Sequence, residues 1–393
     1  MANRQLHIDK EAVATLGLLK DGLLYPATTL MNEEESKNVN ETKKYNNITY
    51  PFPFILAPKG KRNEEILRTI KHLEELDLVC DKKKCGKIRA NGVFRIDRQK
   101  RVESIFGTRN TENDGVKNTY RRLGHYAIYG DFDIIFEDTK KYKHLILQAI
   151  QTTNAHKISS IIISAKPFHR VHERLIRTAL VQCDLLILFI TKPYIEDEFL
   201  TYQTRKKTLE FFCNNYLPKD KVIIIPLDNT YIFGGFNQLI LNAIVAKNFG
   251  CDTLVIGQNH AGLGAFYYQG VLASIVDNIK DIGIKIDIMS EFVYCKQCGT
   301  LVSTNACPHG RNYHINYNAS SIMSLLEMGI IPPAILMRKD ISSLILCDLF
   351  PQRNKKLQEI QQRLLLTSSL LDDFESKDFY ENLMDLYQTS SLT

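Results

Sequence analysis

The pattern of apolar and polar residues changes near residue 157. From there to about residue 290, short apolar runs alternate with segments in which apolar residues recur at helical spacing. The runs predict buried strands at 159–164, 184–190, 222–227, 253–256 and 284–289. The segments between them predict helices at 172–181, 196–215, 235–248 and 274–282. This alternation indicates an α/β fold with a doubly wound parallel sheet.

The regions on either side have different patterns. Residues 1–155 mix short strands with turn signals such as Asn91-Gly92 and Tyr129-Gly130, and helical periodicity predicts helices at 64–76 and 138–153. Beyond residue 315 the chain is helical and charged. Its apolar stripes, which we interpret as packing faces, are Leu357, Ile360 and Leu364, then Phe379, Leu383 and Leu386. We therefore expect a β-rich N-terminal domain (1–155), a Rossmann-like catalytic domain (156–290) and a small helical C-terminal region (291–393).

Composition narrows the class of protein. The chain has 393 residues, of which 44% are hydrophobic, enough to fill several cores. It shows no N-terminal signal and no run of about eighteen apolar residues, so we expect a cytoplasmic protein with no membrane partner. The net charge of +6 is modest. Basic runs at 59–62, 82–84 and 98–101 are interpreted as solvated faces, and a nucleic-acid partner is the minority interpretation.

The first candidate site follows the strand at 159–164. That strand leads through Lys166 and Pro167 to His169 and His172, where a helix is predicted to begin. Free backbone N–H groups and the helix dipole favour an anion at such a point. Two imidazoles there can donate hydrogen bonds to phosphate oxygens. The alternative is that both histidines are merely surface or capping residues.

A second candidate segment lies about ninety residues further on. The strand at 253–256 ends at Gly257-Gln258-Asn259-His260-Ala261-Gly262. Glycines around a histidine allow the backbone to approach a nucleotide closely. Ligands of open α/β sheets bind at the carboxyl ends of strands, where this loop is predicted to lie.

Cysteine spacing indicates a metal site. Nine cysteines without a secretory signal argue against a disulfide framework. Cys295-x-x-Cys298 is followed by Cys307, His309 and His314. This spacing predicts structural Zn²⁺ held by the three cysteines, with either His309 or His314 as the fourth ligand. The alternative is a redox or accidental pair.

With these segments the chain resembles the ATP sulfurylase (sulfate adenylyltransferase) family. The family carries Gln-Thr-Arg-Asn-Pro-x-His-x-x-His on one strand and Gly-Arg-Asp-His-Ala-Gly on a later one. Residues 50–56 resemble its Trp-Pro-x-Pro-x-x-Leu segment, and Pro332, Pro333, Met337 and Arg338 resemble its late Pro-Pro…Met-Arg-Pro segment. Order and spacing agree over nearly the whole chain. The resemblance is to a divergent bacterial or archaeal type without a kinase domain.

The resemblance implies a fold and a reaction. The N-terminal domain would be PUA-like, and ATP with Mg²⁺ would react with an oxyanion, sulfate in the family, to give an adenylyl anhydride and pyrophosphate. His169, His172 and Lys166 would be catalytic. The residues implied to bind ATP are Gly257, Asn259, His260, Ala261 and Gly262. A homodimer is also expected.

Departures from the family motifs put the sulfate subsite in doubt. Ile163, Ser164, Ala165 and Lys166 stand where the family has Gln-Thr-Arg-Asn, and Gln258 and Asn259 stand where it has Arg and Asp. A bidentate arginine recognises a dianion better than a lysine does. Two alternatives therefore stay open. One is nucleotidyl transfer to a different acceptor, and the other is a non-catalytic nucleotide-binding or RNA-binding relative.

Overall fold

The computed structural model describes residues 3–195, 199–257, 276–353, 355–356, 359 and 380–381. The chain forms two compact units. The first comprises Met1–Ser160, Lys192–Tyr194 and Ile225–Ile288, and the second comprises Ile161–Thr191, Ile195–Ile224 and Met289–Thr393. Within the described residues, no helix is both long and apolar enough to cross a membrane.

The N-terminal region is built on a five-stranded sheet. Its strands, together with a small β2–β3 ladder, are β1 (Arg4–His7), β2 (Lys44–Tyr45), β3 (Ile48–Thr49), β4 (Leu56–Pro58), β5 (Glu75–Cys80), β6 (Lys83–Arg95) and β7 (Leu123–Ile134). Its helices are α1 (Lys10–Lys20), α2 (Glu33–Thr42), α3 (Lys61–Thr69), α4 (Arg98–Phe106), α5 (Asp114–Arg122) and α6 (Asp138–Thr153). The strand order is β1-β5-β6-β7-β4. The β-rich expectation and the helix at 138–153 are confirmed.

Two basic residues of β6, Lys87 and Arg89, face acidic neighbours. Lys87 pairs in register with Asp77 of β5 and Asp133 of β7. Arg89 pairs in the same way with Glu75 and Asp131. Opposite charges directly across a sheet attract one another. The solvent face of this sheet therefore carries alternating charge rather than a continuous positive patch.

Two local predictions in this region were wrong. The helix predicted at 64–76 ends at Thr69, because the next residue, Ile70, has an extended backbone (φ −67°, ψ 140°) that leaves the helical path. Asn91-Gly92 and Tyr129-Gly130 are not turns but lie inside β6 and β7, where the register shifts between Ala90 and Gly92. Gly130 has φ +150°, and a Cβ there would meet the Arg89 carbonyl oxygen at 2.0 Å. The signal interpreted as a turn is therefore an irregularity within a long antiparallel pair of strands.

The second sheet is the α/β layer. Its strands are β8 (Ile158–Ile163), β9 (Leu185–Pro193), β10 (Val222–Asn229), β11 (Thr253–Gly257) and β12 (Lys285–Met289), in the order β10-β9-β8-β11-β12. Between them lie α7 (Arg170–Leu180), α8 (Tyr202–Tyr216) and α9 (Gln238–Asn248). All six residues of β8 are buried, as an apolar run covered on both faces requires. The predicted parallel sheet is confirmed.

Helix starts in this layer differ from the predictions by a few residues. α8 begins at Tyr202 rather than near 196, because Thr201 caps it: the Thr201 Oγ1 accepts a hydrogen bond from the Thr204 N–H at 3.2 Å. A 3-10 turn at Gly235–Asn237 precedes α9. Of the helix predicted at 274–282, the described part comprises a helical segment at 276–278 and a 3-10 turn at Lys280–Ile282.

The C-terminal region contains a small antiparallel sheet. Its strands are β13 (Phe292–Cys295), β14 (Thr300–Ser303) and β15 (His314–Asn316), with β13 in the centre. Two helices follow, α10 (Ala319–Glu327) and α11 (Lys339–Leu349). The apolar stripes predicted at Leu357, Ile360, Leu364, Phe379, Leu383 and Leu386 lie outside the described residues. The domain boundaries predicted above stay predictions.

Candidate functional site

The loop that follows β8 is held in an unusual backbone conformation. Ala165 has φ 52°, in the left-handed region, and its side chain is fully buried. For a residue with a Cβ this conformation costs roughly 1–2 kcal/mol, and it persists only where the surroundings enforce it. Phe168 is also fully buried, whereas Lys166 is exposed. The loop therefore has a rigid buried frame and one exposed cationic residue.

The two predicted histidines meet at the start of α7. His169 has extended backbone angles and immediately precedes the helix, and its N–H donates a hydrogen bond to His172 Nδ1 at 3.2 Å. The two ring centroids are 3.9 Å apart. Because His172 Nδ1 accepts this bond, a neutral His172 carries its proton on Nε2. The His-x-x-His spacing thus produces one compact pair of imidazoles.

Burial keeps both imidazoles neutral. His169 is 6% exposed, and loss of hydration, followed by the neighbouring His172, lowers its pKa well below the usual value. Loss of hydration also lowers the pKa of His172 to about 4. His169 Nδ1 is buried and has no hydrogen-bond partner among the described residues. Near pH 7 the pair can donate hydrogen bonds to an anion without placing two positive charges in a buried site.

Aromatic rings fix the orientation of the pair. Phe168 stacks on His172, with centroids 5.7 Å apart and planes 15° apart, and Phe168 in turn packs on Phe212 at 5.0 Å. Tyr317 stacks on His169 at 5.8 Å, and the Tyr317 hydroxyl donates to the Ile335 carbonyl oxygen at 2.5 Å. The imidazoles are therefore held by rings on both sides.

An arginine and glutamate cluster lies at the first turn of α7. Glu173 is 5% exposed and pairs with Arg338 at 2.8 Å and Arg170 at 3.3 Å. Arg170 Nε also donates to the Ala334 carbonyl oxygen at 3.0 Å. The segment containing Pro333 and Arg338 thus packs against the helix that carries the histidines. A single oxygen, Glu173 Oε2, contacts both arginines, so this cluster has two positive charges and one negative charge.

The sequence analysis missed Arg205 of α8. Its side chain is 1% exposed, and Nη1 donates to the Ser164 carbonyl oxygen at 2.5 Å and to the Thr191 carbonyl oxygen at 3.2 Å. A signal was present in the sequence. Arg205 falls on the buried face of α8 with Tyr202, Leu209 and Phe212, at spacings of three, four and three residues. An arginine on an apolar stripe requires buried acceptors.

A second group missed from the sequence lies at the ends of β9 and β10. Asp228 is 3% exposed, and its Oδ1 accepts a hydrogen bond from the Tyr194 hydroxyl at 2.9 Å. Lys192 Nζ is 3.7 Å from the same oxygen. Burial raises the pKa of the Asp228 carboxyl. A buried acid that accepts a hydrogen bond from Tyr194 therefore lies near the carboxyl end of β10.

The structure describes only the beginning of the second predicted segment. Gly257 is the last residue of β11, which pairs in parallel with β8 through Thr253 opposite Ser159 and Leu254 opposite Ser160. A Cβ placed on Gly257 would have no atom of the described residues within 4 Å, so the residue can accept a close neighbour. The predicted ATP-binding residues Asn259, His260, Ala261 and Gly262 lie outside the described residues.

The predicted metal ligands converge. One ligand atom from each of Cys295, Cys298, Cys307 and His309 lies within 4.8 Å of all the others. His309 Nδ1 is 3.4, 3.3 and 3.6 Å from the sulfurs of Cys295, Cys298 and Cys307. A zinc tetrahedron with bonds of about 2.0–2.3 Å has edges of roughly 3.5–3.8 Å. The spacing therefore fits a four-coordinate ion.

His314 occupies a different position. Within the part of the chain that the structure describes, its Nε2 contacts one of the three cysteine sulfurs, that of Cys307, at 3.4 Å. It does not belong to the four-residue group. Of the two histidines left open by the sequence, the geometry favours His309 as the fourth ligand, with His314 packed against a ligand from outside.

Comparison with known proteins gives consistent results over both halves of the chain. The ATP-sulfurylase family model matches residues 139–347, and the PUA-like domain model matches residues 2–137. A sulfate adenylyltransferase of Staphylothermus marinus is 24% identical over 347 residues, covering 87% of this chain and 90% of the relative. One of Pyrococcus abyssi is 22% identical over 355 residues, covering 87% and 89%.

A solved structure supports the fold. A protein described as a hexameric APS kinase from Thiobacillus denitrificans superposes with a TM-score of 0.64 at 15% identity, over 90% of this chain. This chain spans 63% of that longer chain. At this identity the likeness shows a shared architecture and nothing about chemistry.

Proposed function

This chain belongs to the ATP-sulfurylase family, and we propose that it is a nucleotidyltransferase whose ATP site contains His169 and His172. The observation that carries the proposal is the neutral imidazole pair at the start of α7, in which His169 is buried and His172 is half-buried. Two neutral imidazole N–H donors suit a polyphosphate, because its charge is met by dipoles that are already oriented.

The proposed reaction is adenylyl transfer. An acceptor oxygen attacks the α-phosphorus of ATP, the bond from that phosphorus to the bridging oxygen breaks, and pyrophosphate leaves with the electron pair. His172 Nε2–H donates to phosphate oxygen, and its Nδ1 stays engaged with the His169 N–H. Such catalysis rests on positioning and charge stabilisation. Mg²⁺ bound with the nucleotide would neutralise phosphate charge. Gly257 and the predicted residues Asn259, His260, Ala261 and Gly262 would hold the nucleoside.

Sulfate is proposed to be a poor acceptor. Ile163 and Ala165 replace the family's glutamine and arginine, and both side chains are at least 95% buried and cannot donate a hydrogen bond. Lys166 is exposed and supplies a point charge rather than a planar fork. A dianion without paired donors is costly to bind away from water.

Transfer to a different acceptor is the second candidate. Ile163 and Ala165 make the position that the family uses for sulfate apolar, and this suits a less charged acceptor group better than a dianion.

We propose that a zinc ion has a structural role in the C-terminal sheet. Cys295, Cys298, Cys307 and His309 would hold one Zn²⁺ and close the β13–β14 turn. Four protein ligands leave no open position, so the ion would stabilise the C-terminal sheet and take no part in the reaction.

The test of the nucleotide site is calorimetry with ATP and Mg²⁺. We expect binding by the wild-type protein that weakens at least tenfold in His172→Ala, since one donor to a charged group contributes about 1.5–3 kcal/mol. His260→Ala should weaken binding as well. His144→Ala, which changes an exposed histidine of α6, is the matched control and should bind normally. Equal affinity in all four proteins would reject the assignment.

ATP–pyrophosphate exchange distinguishes an active nucleotidyltransferase from a non-catalytic nucleotide-binding relative. Exchange should require an acceptor, and a panel of oxyanions, hydroxyl compounds and amines would identify its class. Binding of ATP without exchange for any acceptor would favour the non-catalytic alternative.

A further inference from the structure

We propose that Arg205 is a positioning residue that sets the loop carrying the two histidines. The effect of Arg205 on ATP binding rests on the proposed function. Its effect on the conformation of the loop does not. Arg205 lies on α8 and acts on the loop through the Ser164 carbonyl rather than through either imidazole.

The guanidinium of Arg205 contacts the backbone of two strands. Arg205 Nη1 donates to the carbonyl oxygens of Ser164 and Thr191. Ser164 directly follows β8 and Thr191 lies near the end of β9, and these strands are neighbours in the sheet. One side chain therefore joins the backbone at the ends of two adjacent strands. A buried guanidinium is costly unless such acceptors are present, so Arg205 has a strong preference for this arrangement.

The second step is that the loop needs to be held. Ala165, the next residue after Ser164, is in the left-handed backbone region. A residue with a Cβ leaves that conformation unless its neighbours restrain it. The carbonyl that Arg205 binds belongs to the peptide unit joining Ser164 to Ala165, so the hydrogen bond acts directly on the strained position.

The third step is that the same face of α8 also supports the other end of the loop. Phe212 lies seven residues after Arg205, two helical turns further on, and is fully buried. It packs on Phe168, which stacks on His172. Arg205 fixes where the loop starts and Phe212 fixes where it ends. The imidazole pair therefore depends on the position of one helix face.

A purely structural role is the competing explanation. Under it, Arg205 joins β8 to β9, and its loss lowers stability without changing the histidines. The two explanations differ in what the imidazoles report, which can be measured without any ligand.

The experiment uses the full chain labelled with ¹⁵N-histidine and no nucleotide. Arg205→Lys keeps the charge but loses the planar fork, and Arg205→Met removes both. We expect both variants to shift the ring ¹⁵N signals of His169 and His172, assigned with His169→Gln and His172→Gln. Lys207→Met is the matched control. It removes an exposed cation of the same helix, α8, that donates to the Asp348 Oδ1 at 3.0 Å, and it should leave these signals unchanged.

Calorimetry with ATP and Mg²⁺ on the same proteins links the loop to binding. We expect a loss of affinity of up to about 100-fold in Arg205→Met, a smaller loss in Arg205→Lys and none in Lys207→Met. Unshifted ring signals in a folded Arg205→Lys protein would overturn the proposal, whatever happens to stability. Shifted signals in a protein whose wild type binds no ATP would reject the proposed function but leave the positioning role standing.

Discussion

A histidine transferred out of water loses hydration that its charged form needs more than its neutral form does, so its pKa falls. His172 shows this effect alone, because loss of hydration is the cause that lowers its pKa to about 4. His169 has the further disadvantage of a second imidazole beside it, which also lowers its pKa. The sequence could place two histidines at a helix start, but it could not show that both are neutral, because that depends on packing by Phe168 and Tyr317.

The depressed pKa of His172 predicts how stability depends on pH. Between its unfolded value of 6.5 and its folded value of about 4, the unfolded chain binds a proton that the folded protein does not. Stability is therefore fully present above about pH 6.5 and falls as the pH drops toward 4. From pH 7 to pH 5 this group contributes a loss of about 2 kcal/mol.

Urea unfolding at pH 7 and pH 5 checks the prediction. In His172→Gln the fall in unfolding free energy over this interval should be smaller than in the wild type by about 2 kcal/mol. His144→Gln, at an exposed position, should match the wild type. If the two variants lose stability alike, His172 is not a buried neutral imidazole in the folded protein.

Lys166 illustrates the limit of motif matching. The sequence places it in the histidine loop and suggests a catalytic charge, and the structure leaves it exposed next to the buried Ala165. Restoring the family residues by Ile163→Gln, Ala165→Arg and Lys166→Asn is therefore not a simple repair. It would bury an amide at Ile163 and put a long side chain at a position with φ 52°.

At the scale of helices and strands, the pattern of apolar residues was sufficient to predict the strands of the α/β layer. The five predicted strands are confirmed within three residues at each end, because buried parallel strands have continuous apolar runs. The predicted helix at 64–76 failed because two signals overlap there: the apolar residues of α3 and those of β5 happen to continue one helical spacing. The extended backbone at Ile70, which the apolar pattern does not reveal, ends α3 and separates it from β5.

Arg205 was missed for a different reason. Its two acceptors, Ser164 and Thr191, lie 41 and 14 residues away in the sequence. Local patterns show an arginine on an apolar face but cannot show what it binds. The group formed by Cys295, Cys298, Cys307 and His309 is the opposite case. Its members lie within fifteen residues of one another, so their spacing in the sequence was sufficient to predict that they meet.

The C-terminal sheet provides a prediction about metal content. Elemental analysis should find one zinc per chain in protein washed with a weak chelator. His309→Ala should lose the metal, because His309 Nδ1 is within 3.6 Å of all three sulfurs. His314→Gln should retain it, because His314 lies outside the cluster. If His309→Ala keeps its zinc and His314→Gln loses it, then His314 is the fourth ligand. If the wild-type protein contains no zinc, the proposed metal site is wrong.

At the scale of the whole molecule, the family relationship covers both the PUA-like and the ATP-sulfurylase regions. A shared scaffold over that length does not preserve a substrate, since specificity depends on a few side chains at strand ends. We propose that the chain forms a homodimer, as the resemblance implies, and light scattering at several concentrations measures this directly. A constant mass of one chain would contradict it.

The final prediction is that the intact protein turns over sulfate slowly. At the end of β8 and in the loop after it, the positions that should bind a dianion offer one exposed lysine, Lys166, and two buried apolar side chains, Ile163 and Ala165. Loss of one donor to a developing charge typically costs about 2.7–4 kcal/mol, or roughly 100- to 1,000-fold in turnover.

The measurement is pyrophosphate release from ATP and sulfate with pyrophosphatase present, beside the ATP binding described above. We expect tight ATP binding together with sulfate turnover well below about 1 s⁻¹. Wild-type turnover at or above that rate would show that the ordinary sulfate reaction survives without the arginine fork, and that the anion is bound by groups outside the β8 loop.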